Sequence, residues 1–227
     1  MNDFERGGVM QRDTDRRMLE QIEQQADLAT ARVLEIGCGS GRVSARLAAR
    51  AGTLVALDPV QSALHAARAR LPAQALVAAS GERLPFAPAR FDLVVFTLSL
   101  HHHRDPARAL AEASRVLAPG GRVLVIEPDE SGRLERVFAQ LVDEGAEVAA
   151  AQRAVARCPL RLAYDAGFSG CWRFEDRSEL IGSVFDHYAL PEDPTAVARI
   201  DALLGPDGAA RPILLEDRMR LQTLLPG

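Results

Sequence analysis

Arg32–Arg42 reads RVLEIGCGSGR: a short apolar run, one acid, then a glycine at every second position. The apolar run has the length of a buried strand. Gly37, Gly39 and Gly41 mark a turn where something comes close to the backbone. The dinucleotide-binding fingerprint G-x-G-x-x-G would put its third glycine at 42, and position 42 is Arg. Glu35 lies on the strand just before the loop, where it would repel a pyrophosphate. A carboxylate there suits a ligand with a positive group, such as an α-ammonium or a sulfonium. The competing reading is that Glu35 only caps loop N–H groups.

Outward from this stretch, strands and helices alternate. Thr53–Asp58 (TLVALD), Gln74–Ala79, Arg90–Leu98 (RFDLVVFTL) and Arg122–Pro128 read as further strands. Helices are predicted over Asp13–Ala29, Gly41–Arg50 and Val60–Arg70. Another starts at Asp105-Pro106, with Asp as cap and Pro in the first turn, and stops at Pro119-Gly120-Gly121. Strands apolar throughout and separated by helices imply a parallel sheet covered on both faces. Such sheets bind ligands outside the carboxyl ends of their strands. Beyond Pro128 the pattern predicts a helix over Ser131–Arg157, a sixth strand at Phe168–Glu175, and one or two helices over Arg177–Leu204 broken at Pro191 and Pro194. The alternating Asp217–Leu225 is expected to be a final, antiparallel edge strand. Met1–Arg12, polar and with Gly7-Gly8, is expected to be a mobile start.

The chain has 227 residues, 48% hydrophobic and 26% charged, which suits one domain with a sizeable core. A formal net charge of -4 argues against a general nucleic-acid binder. Every basic residue is Arg, so neither a Schiff-base lysine nor a phosphate-loop lysine exists. Cys38, Cys158 and Cys171 form no CxxC pair; an odd count fits a reducing compartment without a disulfide framework. Residues 1–30 hold no signal-like apolar run, and no stretch approaches the roughly 18–20 apolar residues of a membrane helix. A cytoplasmic protein without a membrane span is expected.

The expected strand ends carry polar or glycine-bearing turns. Asp58 closes the second strand about 20 residues past the glycine loop, where an acid grips ribose hydroxyls; it also suits capping the segment after Pro59. Ser80, Gly81 and Glu82 follow the third strand and can hydrogen-bond an adenine edge. TLSLHHHRDP follows the fourth strand, and IEPDE closes the fifth. Five such turns in succession form one lip.

In order and spacing, VLEIGCGSG, ALDP, SGERLPF, FDLVVFTLSLHH and ALAEASRVLAPGGRVLVIEP resemble the class I S-adenosylmethionine-dependent methyltransferases, in particular the broad branch that includes the quinone C-methyltransferases. The resemblance is close over Ala31–Pro128. It implies an α/β, Rossmann-like seven-stranded, mostly parallel sheet with an antiparallel edge strand and helices on both faces. Within one domain, residues 1–30 would be a helical cap, 31–128 the cofactor-binding core and 129–227 the substrate side. The implied cofactor is S-adenosyl-L-methionine, with S-adenosyl-L-homocysteine as product. By this similarity Glu35 lies near the methionine part, and Gly37, Cys38, Gly39 and Gly41 pack against the cofactor. Asp58 holds the ribose, Pro59 and Val60 flank the adenine, and Ser80, Gly81 and Glu82 sit at its amino group. Thr97, Leu98 and Ser99 line the methionine side. The family often has Asp where this chain has Ser80, a weaker neutral partner, which shifts adenine recognition toward the Gly81 and Glu82 N–H groups.

The implied function is methyl transfer to a small-molecule acceptor by in-line displacement, in a monomer or homodimer. Alignment of acceptor, methyl and sulfur is most of the task. Where the acceptor must lose a proton, His102 is the candidate base, against a solvated polar turn leading to the Asp105 cap. His101, Tyr164, His187 and Tyr188 are candidate substrate contacts, and Arg16 and Arg17 candidate partners of the cofactor carboxylate. Adjacent histidines diverge, so no metal site is expected. Cys158 and Cys171 read as buried and inert rather than as a thiol trap. The rival functions are a nicotinamide-dependent oxidoreductase, disfavoured by Arg42 and Glu35, and a non-catalytic cofactor-binding regulator. RNA or protein methylation lacks a basic stripe or recognition domain.

Overall fold

The computed structural model describes residues 5–7 and 10–227. In chain order these form β1 (Glu5–Gly7), β2 (Met10–Arg12), α1 (Thr14–Gln25), β3 (Arg32–Ile36), α2 (Arg42–Ala48), β4 (Thr53–Asp58), α3 (Gln61–Arg70), β5 (Ala75–Ala78) and β6 (Phe91–Thr97). A 3₁₀ turn at Leu100–His102 precedes α4 (Pro106–Val116), β7 (Leu117–Pro128), α5 (Arg133–Phe138), α6 (Gly145–Arg157), β8 (Arg161–Phe174), α7 (Arg177–His187), α8 (Pro194–Leu204) and β9 (Ile213–Leu225). Two compact units result.

The larger unit comprises Asp15–Glu127, Ala146–Gly167 and Arg220–Gly227. Its strands run in the order β8-β9-β7-β6-β3-β4-β5. The pairs β6/β7, β3/β6, β3/β4 and β4/β5 are parallel. β3 shows why: after Arg32, all four of its residues are buried, as a strand covered on both faces must be. Leu34 and Ile36 face one way, into a core with Val94, Phe96, Leu110, Ala113, Ala151 and Val155. The intervening Val33 and Glu35 face the other way. There the sheet carries α1 and α2, whose Met18, Ile22, Val43 and Leu47 are also buried. Asp105 caps α4 as expected, accepting from Arg108 N at 3.0 Å, with Pro106 in the first turn.

The smaller unit holds Pro128–Gly145 and Phe168–Met219 with the described part of residues 1–14. Here β1 and β2 pair antiparallel, as do β2 and β8. Trp172, Phe174, Phe138, Ile181, Phe185 and Ile200 form its core. The indole N–H of Trp172 reaches Thr14 Oγ1 and Asp217 Oδ2, each at 3.0 Å.

The seven-stranded, mostly parallel sheet is present, and beyond β8 the antiparallel β2 and β1 extend it to nine strands among the described residues. Its last strand differs from expectation in place: β9 lies between β8 and β7, and β8 is outside it. Alternation marks a strand with two unlike faces, and an inner strand can have those too, so the pattern did not report position. The helix expected over Ser131–Arg157 is two, α5 and α6. Asp143 bonds Gly145 N at 3.0 Å as the second begins. Of the expected mobile start, Glu5–Gly7 and Met10–Arg12 are paired strands, and residues 1–4 and 8–9 lie outside the described residues. Among the described residues, no helix is long and apolar enough to cross a membrane.

Candidate functional site

All the groups of the glycine loop belong to the larger unit. Ile36 lies opposite Leu57 on one side and Phe96 on the other, so the chain leaves β3 flanked by the ends of β4 and β6. Gly37 N and Cys38 N both donate to Leu57 O at 2.9 Å. The three glycines have positive φ, +78°, +52° and +79°, but they serve different ends. A Cβ on Gly37 would stand 2.5 Å from Ser99 Cβ, and one on Gly41 would press on Ala67 and Leu71 at 3.1 Å. Those two make room for the protein itself. A Cβ on Gly39 would meet nothing within 4 Å; this glycine opens outward.

Glu35 is 1% exposed. Its Oε1 accepts from Thr97 Oγ1 at 2.7 Å, while Oε2 is buried without a hydrogen bond. The hydroxyl of Ser44 on α2, also buried, stands near without closing a regular bond. Burial pushes the Glu35 carboxyl up to about 7, against the opposing pull of Ser44 and Thr97. Behind it, Arg42 Nη1 holds Asp15 at 3.1 and 3.3 Å. Arg42, the residue that breaks the dinucleotide fingerprint, thus fastens α1 to the start of α2. The Cys38 thiol is pushed up to about 12, by burial first and then by Glu35 and Asp58, which makes it a poor nucleophile.

Asp58 is buried and doubly engaged: Oδ2 accepts from Gly39 N at 2.9 Å and Oδ1 from Val60 N at 2.8 Å. It braces the loop and the entry to α3, and each oxygen keeps a second lone pair. Beside it Pro59 is exposed and Val60 is 53% exposed, a large apolar side chain left in the open. Ser80 Oγ accepts from Glu82 N at 3.2 Å, and Glu82 Oε1 from Asp105 N at 3.0 Å. Gly81 is required by His103, whose Nε2 would be 2.3 Å from a Cβ there.

At the end of β6, Leu98 has φ +55°, a strained position for an L side chain. Its N–H bonds Ile126 O at 2.8 Å, and Ser99 Oγ donates to Ile36 O at 2.6 Å. The three histidines do not all diverge: the rings of His101 and His102 are 3.9 Å apart, while His103 packs edge-on to Phe96 at 5.7 Å. His103 donates from Nδ1 to Ser99 O at 2.9 Å. His102, the expected base, is exposed. His101 is 4% exposed and pairs through Nδ1 with Glu127 Oε2. Glu127, fully buried on β7, also accepts from Leu100 N at 2.9 Å. A carboxylate on Nδ1 fixes the tautomer and leaves Nε2 as the lone-pair nitrogen. Glu127 and Ser44 were missed because their partners lie 26 and 9 positions away; only the acid in IEPDE hinted at the first.

Arg16 and Arg17 both pair with Glu20 on their own helix. Tyr164 is half-buried on β8 in the larger unit. His187 and Tyr188 belong to the smaller unit, packed on Phe138 at ring distances of 4.7 and 5.8 Å. Burial, then the carboxylates of Glu144 and Glu135, push the Tyr188 phenol up. A cleft of about 590 Å³ lies elsewhere, before the amino end of β3, lined by residues including Glu23, Asp27, Arg50 and Arg122. None of the expected site residues lines it.

Residues 34–125, from the first buried strand to the middle of β7, match a family model described as a methyltransferase domain. That segment is similar to methyltransferase domains. An uncharacterized methyltransferase of Mycobacterium tuberculosis is 36% identical over 115 residues, 51% of this chain and 47% of the relative. The demethylmenaquinone methyltransferase of Clavibacter sepedonicus is 36% identical over 105 residues, 45% of this chain and 43% of its own length. The chain thus spans about half the length of the curated relatives it matches. The YcgJ protein from Bacillus subtilis has the same fold, with a TM-score of 0.66 over 93% of this chain and 99% of that one, at 16% identity. The matched segment contains the glycine loop, Asp58, Ser80–Glu82 and the β6 end.

Proposed function

We propose that this protein transfers a methyl group from S-adenosylmethionine to a small-molecule acceptor. The observation that carries the reading is Glu35: a fully buried carboxylate with one oxygen unpaired, beneath a loop whose middle glycine opens outward. An unfilled buried acceptor costs about 1–3 kcal/mol or more for a charged group, and a cationic ligand is the partner that offsets it. The site fits the methyl donor in other respects. Asp58 keeps lone pairs for the ribose hydroxyls, and Val60 offers an exposed apolar side for the adenine. Cys38, Ser80, Glu82, Leu98 and Ser99 are proposed to shape the rim, over the close packing that Gly37, Gly41 and Gly81 allow. When bound, S-adenosylmethionine supplies an electrophilic methyl group on a sulfonium.

The protein's own contribution is alignment, exclusion of water and, for acceptors that must lose a proton, a base. We assign that base to His101 rather than the exposed His102, because Glu127 orients its ring and stabilises the imidazolium it would become. Tyr164, in the same unit, remains a proposed acceptor contact. A small acceptor is supported by the net charge of -4, which gives no general attraction to nucleic acid. The test is calorimetry with S-adenosylhomocysteine on the folded protein. Binding is expected, and Asp58→Ala is expected to weaken it by about 1–3 kcal/mol. Absence of heat with either cofactor form would overturn the reading; unchanged affinity in the variant would remove Asp58 from the site.

A further inference from the structure

The surroundings of Glu35 pose a problem of charge. Its Oε1 has the Thr97 hydroxyl from β6, and its Oε2 has no hydrogen bond. The Ser44 hydroxyl of α2 is 0% exposed and likewise without a regular bond. The charged groups facing it are Asp15 on α1, which disfavours ionisation, and Arg42 on α2, which favours it. These two are paired to each other at 3.1 Å, so their effects on Glu35 largely cancel. From the loop, the Cys38 thiol faces the carboxyl and stays protonated. Among the described residues, nothing in this shell provides a net positive charge. A carboxylate so placed is poorly solvated, whereas a neutral carboxyl there gains an O–H with which to donate.

We infer that Glu35 is a proton-coupled sensor of positive charge: protonated in the ligand-free protein on the acid side of neutrality and ionised by the α-ammonium of the methyl donor, so that binding there expels one proton to solvent. The inference rests on the methyl-donor reading above and adds to it how the site recognises its ligand. The one bond that changes is the carboxyl O–H, which breaks with its electron pair left on the carboxylate while the proton passes to buffer. The carboxyl's position at about 7, raised chiefly by burial, puts the exchange in an accessible range.

The experiment is titration calorimetry of the full chain with S-adenosylhomocysteine at pH 6 and pH 8, in buffers of different protonation heat. At pH 6 about one proton should leave per ligand bound, and affinity should be about tenfold weaker than at pH 8. Glu35→Gln should bind with buffer-independent heat and an affinity flat across that window. 5′-Methylthioadenosine, which lacks the amino-acid group, should bind the wild type without releasing a proton. Thr97→Val, which removes a hydroxyl that favours the carboxylate, should move the release to higher pH and serves if Glu35→Gln does not fold. S-Adenosylhomocysteine binding without proton exchange at pH 6 overturns the inference while leaving the methyl-donor reading intact. Release that persists in Glu35→Gln, or an unmoved profile in Thr97→Val, also overturns it. Failure of the folded wild type to bind S-adenosylhomocysteine at all overturns the reading beneath it.

Discussion

At the scale of single residues, Glu35 separates stability from recognition. Its folded pKa is raised above the ordinary value of 4.5, to about 7. The folded state therefore holds a proton more tightly than the unfolded chain. The stabilisation this provides is fully present below pH 4.5 and lost as pH rises through about 7. Glu35→Gln keeps the shape and removes the titration. In urea denaturation without ligand, the variant should lose this fall of stability between pH 5 and 8. At pH 8 it should be more stable than wild type by roughly 2–3 kcal/mol, while binding the cofactor less well. An unchanged pH profile would show that Glu35 stays ionised through that range. The acid itself was legible in the sequence from its place before the glycines. Its bond to Thr97, 62 positions away, was not, because parallel strands bring together residues that no local pattern connects. The same holds for His101 and Glu127: three adjacent histidines look alike in sequence, and only a carboxylate from β7 distinguishes one of them.

At the scale of the loop, the alternating glycines look like one motif but perform separate tasks. Gly37 and Gly39 both have positive φ, which costs an alanine about 1 kcal/mol. Gly37→Ala adds a clash with Ser99 and should lose about 2–4 kcal/mol of folding stability. Gly39→Ala meets open space, so it should lose only about 1 kcal/mol of stability but most of its affinity for S-adenosylhomocysteine. Denaturation and calorimetry on the two variants check this, and equal losses in both measurements would refute the division. Strand positions show a similar limit. Arg32–Ile36 and Thr53–Asp58 have the expected bounds, since continuous apolar runs state their burial directly. The place of β9 between β8 and β7 depends on which edges remain available after the other strands pair.

At the scale of the whole molecule, a ligand that binds only the folded state raises its stability by mass action. S-Adenosylhomocysteine at a hundred times its dissociation constant should add about 2.7 kcal/mol, or roughly 5–10 °C in Tm for a chain of this size. NADH at the same concentration should add nothing, because Glu35 opposes a pyrophosphate and Arg42 stands where its third glycine would be. A shift with NADH alone would restore the nicotinamide reading in a thermal-shift measurement. The sequence by itself determined the class of fold, the glycine loop and the acids beside it. Apolar periodicity, glycine and cap residues act over a few positions, and each states its own physical demand. Only the tertiary structure decided the grouping into two compact units, the place of the last strand, the histidine that meets a buried carboxylate and the unpaired oxygen of Glu35. Those depend on burial and on partners distant in the chain, and desolvation acts on a group only once the fold has closed around it.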